Sequence, residues 1–187
     1  MLTYQATIEV PRLQIMQEPN PINIREYGDM LGVLVTKRYQ DPTTEEEWDI
    51  TLDIYENEYV DNASDHMERL KKRTGAMLVY PISKYEHTGV IYFRGASSGW
   101  DYGVTGFYLV YENEETKEMD EEKIKNIIDS EMEEFTKYAN GEYLCFYLFD
   151  EQGTFEDLLH NIPDLESLRD HLPKEFENED LTDYIVD

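Results

Sequence analysis

The stretch from Thr116 to Ala139 constrains the fold more than any other part of the chain. Within it Ile124, Ile127, Ile128, Met132, Phe135 and Tyr138 recur at helical spacing, and Asn140-Gly141 supplies a stop. A helix of that length with a single apolar stripe has to bury the stripe against another element. The surrounding segments provide the surface. Ala76 to Ile82, Val90 to Arg94, Gly103 to Tyr111 and Glu142 to Asp150 are short runs dominated by Val, Ile, Leu, Phe and Tyr, and they read as strands. Met30 to Arg38 reads as a further buried strand and Thr3 to Val10 as a strand closed by Pro11. Trp48 to Tyr55 alternates Ile50, Leu52 and Ile54 with Asp49, Thr51 and Asp53, the period of a half-buried strand, with a short helix from Thr44 as the alternative. Asp61 to Arg73 reads as a helix with Asn62 or Ser64 as its N-cap and Arg69, Lys71, Lys72 and Arg73 complementing its dipole before Gly75. Beyond Thr154, the sets Phe155, Leu158, Leu159 and Leu165, Leu168, Leu172, divided by Pro163 and Pro173, predict two short helices. The expectation is an α+β protein: a mainly antiparallel sheet packed by one long acidic helix, with residues 1–150 as the core domain and 151–187 as an acidic helical extension.

Charge limits the function. The 42 acidic and 16 basic side chains give a formal charge of −26 and a pI near 4.3. Direct binding to nucleic acid or to anionic lipid needs a basic footprint, so both are excluded as expectations. With 40% hydrophobic and 13% aromatic residues the chain still has enough apolar area to fold. Residues 1 to 110 hold 17 acidic and 10 basic side chains, whereas residues 111 to 187 hold 25 and 6, so the C-terminal part carries most of the negative field. In the long helix Glu114, Glu118 and Glu122 form an i, i+4 row and Asp129 with Glu133 a second, placing carboxylates about 5–6 Å apart at Cβ. Such pairs repel, so stability does not account for them. Regularly spaced carboxylates imitate duplex DNA, which presents one charge per about 1.7 Å of axis. The surface expected to meet the cationic cleft of a host nuclease or another DNA- or RNA-binding protein is Glu114, Glu118, Glu122, Asp129, Glu133 and Glu134, with Asp157 and Asp164 in the extension. A plain acidic interaction factor, whose charge serves solubility alone, is the bland alternative.

An enzyme is the competing class. Tyr85-Glu86-His87-Thr88-Gly89 is followed by Ser97-Ser98-Gly99-Trp100-Asp101-Tyr102-Gly103, and an Asp-oriented His is the core of a general base. His87 and Asp101 on neighbouring strands, joined by Glu131, would make a hydrolytic or metal-dependent site. No nucleophile elbow accompanies Ser97 or Ser98, and turn chemistry explains both serines. Glu131 lies on the apolar stripe between Ile128 and Phe135, where a carboxylate requires a partner such as Arg25, His87 or a Tyr hydroxyl. Cys145, the only cysteine, reads as a core residue, and His66, His160 and His171 as isolated residues at helix-like positions. With no Walker loop, dinucleotide fingerprint or zinc spacing, neither a cofactor nor a metal is expected. A lone Cys, no signal-peptide pattern and no long apolar run point to a soluble protein in a reducing cytoplasm.

These pieces resemble an uncharacterised family of small proteins encoded by phages and other mobile elements. The resemblance rests on Arg25-Glu26-Tyr27 with Asp29-Met30-Leu31-Gly32, Tyr85-Glu86-His87-Thr88-Gly89, Trp100-Asp101-Tyr102-Gly103 with Gly106-Phe107, and Glu131 with Tyr138-Ala139-Asn140-Gly141, in the family's order across residues 22 to 150. The chain departs at Thr88 and Tyr102, where the family usually has Ser. The resemblance implies a mobile-element origin and a host-cytoplasmic setting, with no activity attached. In size and charge the chain is also similar to acidic phage inhibitors of restriction and CRISPR nucleases.

Overall fold

The computed structural model describes residues 12–27, 30–36 and 63–186. The chain divides into two compact units, a central one of Ile22–Asn140 and a discontinuous one of Met1–Pro21 with Gly141–Asp187. The architecture is α+β with antiparallel sheets, but the strands segregate into two sheets rather than one.

In the central unit β2 (Val33–Thr36), β3 (Leu78–Glu86), β4 (Val90–Arg94) and β5 (Tyr102–Val110) form a sheet of order β2-β5-β3-β4. Strand alternation gives it two apolar faces. On one, Leu34, Tyr80, Ile82, Tyr92, Tyr108 and Val110 pack against Ile124, Ile128, Met132 and Phe135 of the long helix α2 (Glu121–Asn140). On the other, Val35, Val79, Phe107 and Leu109 receive Leu70 of α1 (Ala63–Thr74), whose last turn carries Lys71, Lys72 and Arg73 before Gly75 at φ +75°. Ser64 is inside α1, not its cap. The strand read over Trp48–Tyr55, that over Thr3–Val10 and the alternative cap Asn62 lie outside the described residues.

The long helix starts later than its pattern suggests. Asn113 Oδ1 accepts from Glu115 N and Thr116 N, which closes a separate 3-10 turn at Thr116–Glu118, and Asp120 Oδ1 then caps α2 by accepting from Lys123 N at 2.8 Å. Its C-terminal half seals the sheet edge. Asn140 accepts from Val90 N at 2.8 Å and donates to Val90 O at 2.9 Å, Thr136 Oγ1 accepts from Tyr92 N at 2.9 Å, and Arg94 grips Asp129 bidentately. Helix side chains thus satisfy backbone groups of β4 that would otherwise present an open edge.

The discontinuous unit is built on β1 (Leu13–Gln17), β6 (Leu144–Phe149) and β7 (Phe155–Ile162), in the order β1-β6-β7. Leu13, Ile15, Phe146, Leu148 and Ile162 form its core with Leu168 of the short helix α3 (Leu165–Arg169), Phe176 and Leu181. The division therefore does not fall after residue 150, and Phe155, Leu158 and Leu159 lie on a strand rather than a helix. Turn chemistry decides this. Asp150 Oδ1 accepts from Gln152 N and Thr154 N, Gly153 adopts φ +77°, and the chain reverses so that β7 pairs with β6. Of the two expected C-terminal helices only α3 forms, capped by Asp164, with 3-10 turns following it.

Gly32 sits where β5 and the lead-in to β2 touch. A Cβ there would run into the Leu109 carbonyl oxygen and lie 2.6 Å from Tyr108 Cε1. Gly32→Ala is expected to cost about 2 kcal/mol or more, read as a lowered urea midpoint with an unchanged slope.

Candidate functional site

Glu131, half-buried on α2, is the acid around which a hydrogen-bond network of the central unit forms. One carboxylate oxygen accepts from Leu31 N at 2.7 Å and the other from the hydroxyl of Tyr108, which itself accepts from Gly32 N at 2.8 Å. Of the three partners expected for Glu131, a tyrosine hydroxyl is the one formed. Burial raises the carboxyl above its usual range, and the bonds from Tyr108 and Leu31 oppose that shift only in part. Burial and the adjacent carboxylate likewise push the Tyr108 phenol far up. The network joins β5, α2 and the segment before β2.

Glu131 does not meet His87 and Asp101. Asp101 immediately precedes β5, while Tyr108, which holds Glu131, lies seven residues further along, roughly 20 Å at strand rise. His87 is exposed in the β3–β4 turn, and no hydrogen bond among the described residues orients its imidazole. Asp101 contributes its carbonyl to Glu86 N at 3.2 Å. The proposed acid–base pair is brought to one end of the sheet without being joined, and the three residues form no single site. Ser97 and Ser98 border an open hollow of about 620 Å³ with Lys84, Glu86, Trp100, Asp101 and Tyr102. Its shape comes from buried Ser83, whose hydroxyl donates to Gly95 O at 2.7 Å and accepts from Ser97 N at 2.9 Å. Trp100 is fully exposed, and the rings of Tyr102 and Tyr85 meet at a tilt of 34° with centroids 4.6 Å apart.

The acidic rows are also rearranged. Glu114 and Glu118 precede α2, so the row Glu114, Glu118, Glu122 does not exist on one helix. Asp129 is held by Arg94, Glu134 by Lys137 at 3.3 Å, and Glu121 by Lys125 at 2.6 Å, leaving Glu122 and Glu133 as the exposed acids of α2 with no ion pair among the described residues. The regular array expected along α2 is thus interrupted by its own cations. Charge accumulates elsewhere. Between Glu112 and Glu122 seven exposed acids accompany the single Lys117. In the discontinuous unit, residues 151–183 expose eleven carboxylates, Asp157 and Asp164 among them, against Arg169 and Lys174. Arg169 is turned inward, donating to the carbonyls of Phe176, Glu177 and Glu179 at 3.0, 2.7 and 3.1 Å.

A second titratable cluster was missed by the sequence reading. Cys145 near the start of β6, Glu18 just past β1 and His160 on β7 place ligand atoms within 4.8 Å of one another. His160 is on a strand, not at a helix-like position, and its Nδ1 lies 2.7 Å from Glu18 Oε2. A bulge in β7 makes the cluster: Leu144 pairs with Ile162 and Phe146 with Leu159, so His160 and Asn161 both oppose Cys145, and Asn161 takes φ +58°. Burial pushes Glu18 up, but bonds from Asn20 N, His160 and Asn161 N bring it below the usual carboxylate range. Burial and then the Glu18 charge push the Cys145 thiol up. Positions 18, 145 and 160 share no spacing motif, and strand pairing alone unites them.

No family model, curated protein or solved structure matches the chain. No helix among the described residues is long and apolar enough to cross a membrane.

The raised Glu131 carboxyl has a definite sign. The folded chain holds that proton more tightly than the unfolded chain, so its contribution is complete below the ordinary value of 4.5 and is lost as pH rises through the folded value. Urea titrations of the native protein and Glu131→Gln should therefore show the native protein gaining relative to the variant as pH falls toward 4.5, with a constant difference once the pH is well above the folded value. A difference independent of pH throughout would show that folding leaves the proton affinity of Glu131 unchanged.

Proposed function

We propose that the protein is a stoichiometric acidic inhibitor that occupies the cationic nucleic-acid site of a host defence protein, of the restriction or CRISPR nuclease kind, in the host cytoplasm. The observation that carries this reading is the acidic surface of the discontinuous unit: eleven exposed carboxylates over residues 151–183, of which Glu175 is paired with Arg12, while the local arginine is committed to backbone carbonyls. Intramolecular pairing does not explain such an accumulation, whereas a partner that has evolved to bind polyphosphate would neutralise it and release its own counterions. The acids are fixed in place. Asp157 accepts from Leu158 N, Asp164 from Ser167 N and Asp180 from Thr182 N, so several carboxylates hold defined positions, as phosphates on a duplex do.

The central unit supports the same reading with a separate set, the seven exposed acids between Glu112 and Glu122 together with Glu133. Trp100, fully exposed, is suited to anchor a protein interface, because Trp is enriched among the residues that dominate binding energy. The resemblance to mobile-element proteins supports a host defence enzyme as the partner class.

The test is a DNA-cleavage assay with purified restriction and CRISPR nucleases of the host, titrated with the protein at low and high salt. Inhibition is expected to saturate at a fixed molar ratio, to fade as salt rises and to be competed by non-cleavable duplex DNA. Replacing Glu151, Glu156, Asp157 and Glu166 by Lys should weaken inhibition at least tenfold while leaving the circular-dichroism spectrum unchanged. Inhibition that ignores both salt and these substitutions, or none in any enzyme of the panel, overturns the reading.

A further inference from the structure

The Glu18, Cys145 and His160 cluster lies within the discontinuous unit and plays no part in the acidic surface. Glu18 has a side chain only 2% exposed, and Cys145 is fully buried. The thiol has no hydrogen-bond partner among the described residues, yet it faces a carboxylate that hydrogen bonds keep ionised. The His160 side chain is 46% exposed and leaves the cluster open to solvent on that side. A thiolate beside a buried carboxylate is an unfavourable pair, and a cation between them is the occupant that favours both groups in their anionic forms.

We propose that Glu18, Cys145 and His160 bind one divalent transition-metal ion of the zinc class, with a fourth position open to solvent beside His160. The ligand set names the class of metal. One sulfur, one imidazole nitrogen and one carboxylate oxygen suit zinc, cobalt or nickel, whereas magnesium and calcium require oxygen ligands. A single cysteine excludes an iron–sulfur cluster. The geometry requires little movement. Ligand atoms about a tetrahedral zinc lie about 3.3–3.6 Å apart, as follows from bond lengths of about 2.0–2.3 Å. The three atoms here already fall within 4.8 Å, and the 2.7 Å contact between His160 and Glu18 would open by about half an ångström to that spacing.

The supports are stiff. Cys145 is paired on both sides, to Met16 of β1 and within the β7 bulge, and Glu18 is fixed by Asn20 N. On binding, the Cys145 S–H bond breaks, its proton leaves to solvent and the thiolate takes the metal. The imidazole binds as the neutral ring through one nitrogen and keeps its proton on the other. The ion would then cross-link all three strands of the sheet that carries the acidic surface.

Cobalt(II) added to the purified full-length protein reads the site directly. One equivalent per chain should produce a thiolate-to-cobalt charge-transfer band with the visible bands of a tetrahedral ion, and zinc should displace it while magnesium does not. Zinc should also raise the melting temperature and release a proton per ion bound. His160→Ala, at an exposed side chain whose loss leaves the fold intact by circular dichroism, should weaken cobalt binding at least about tenfold, and Cys145→Ala should abolish the charge-transfer band. Because the chain is so acidic, cobalt bound without that band indicates exposed carboxylates only and overturns the proposal. Unchanged affinity in folded His160→Ala overturns it as well.

Discussion

A carboxylate on the buried stripe of a helix is stable only where donors meet it, and the central unit is arranged around that requirement. Glu131 takes Leu31 N and the Tyr108 hydroxyl, and the same hydroxyl takes Gly32 N, so one network registers α2 against β5 and the entry to β2. Apolar packing between α2 and the sheet is not directional and would tolerate small slides along the stripe. The hydrogen bonds do not. Moving α2 by one turn would strand a half-buried acid without its donors, which is costly. Next to Glu131 on the apolar stripe, Phe135 lies under the Arg25 guanidinium, 5.1 Å from the ring centroid, so the 3-10 turn at Ile24–Tyr27 is held to the same helix.

That registration brings the C-terminal half of α2 to the edge of the sheet. Thr136 and Asn140 satisfy β4 backbone groups that a neighbouring strand would otherwise take, and Asp129 meets Arg94 across the same seam. Electrostatics are partitioned accordingly. The acids that face the sheet edge or share a helix turn with a lysine are paired, and those of residues 112–122 and of the discontinuous unit are largely not. Net charge is thus low where the chain packs on itself and high where it faces outward, a distribution that limits the repulsion the fold must bear.

Much of this is legible in the sequence, for local reasons. The period of α2, its Asn140-Gly141 end with Gly141 at φ +66°, the Lys71–Arg73 end of α1 and the strands around Tyr92 and Tyr108 follow from spacing and breakers. Glu131 is recognisable as an acid that needs partners because it interrupts an apolar stripe, although its partner could not be chosen among Arg25, His87 and the tyrosines. What fails is nonlocal or decided by turns. Phe155, Leu158 and Leu159 have helical spacing, and the Asp150–Thr154 turn overrides it. Asn113 and Asp120 cut the apparent helix in two, which removes Glu114 and Glu118 from it. The cluster of Glu18, Cys145 and His160 has no local signature, since it exists only once β1 and β7 flank β6.

The discontinuous unit also dictates an order of assembly during synthesis. Arg12 reaches the carbonyl of Phe149, 137 positions away, and Leu13 pairs with Leu148, so β1 leaves the ribosome long before its partner exists. The central unit is contiguous and its contacts are comparatively local, which favours its folding first. Gln17 also holds the carbonyl of Gly141, so within the discontinuous unit the outgoing and returning chains lie side by side. A folded insert between those two points replaces a long flexible loop and lowers the entropy of closing the second sheet. Until β6 emerges, Leu13 and Ile15 remain an unpaired apolar strand, and the acidic surface of the discontinuous unit takes shape after the central unit.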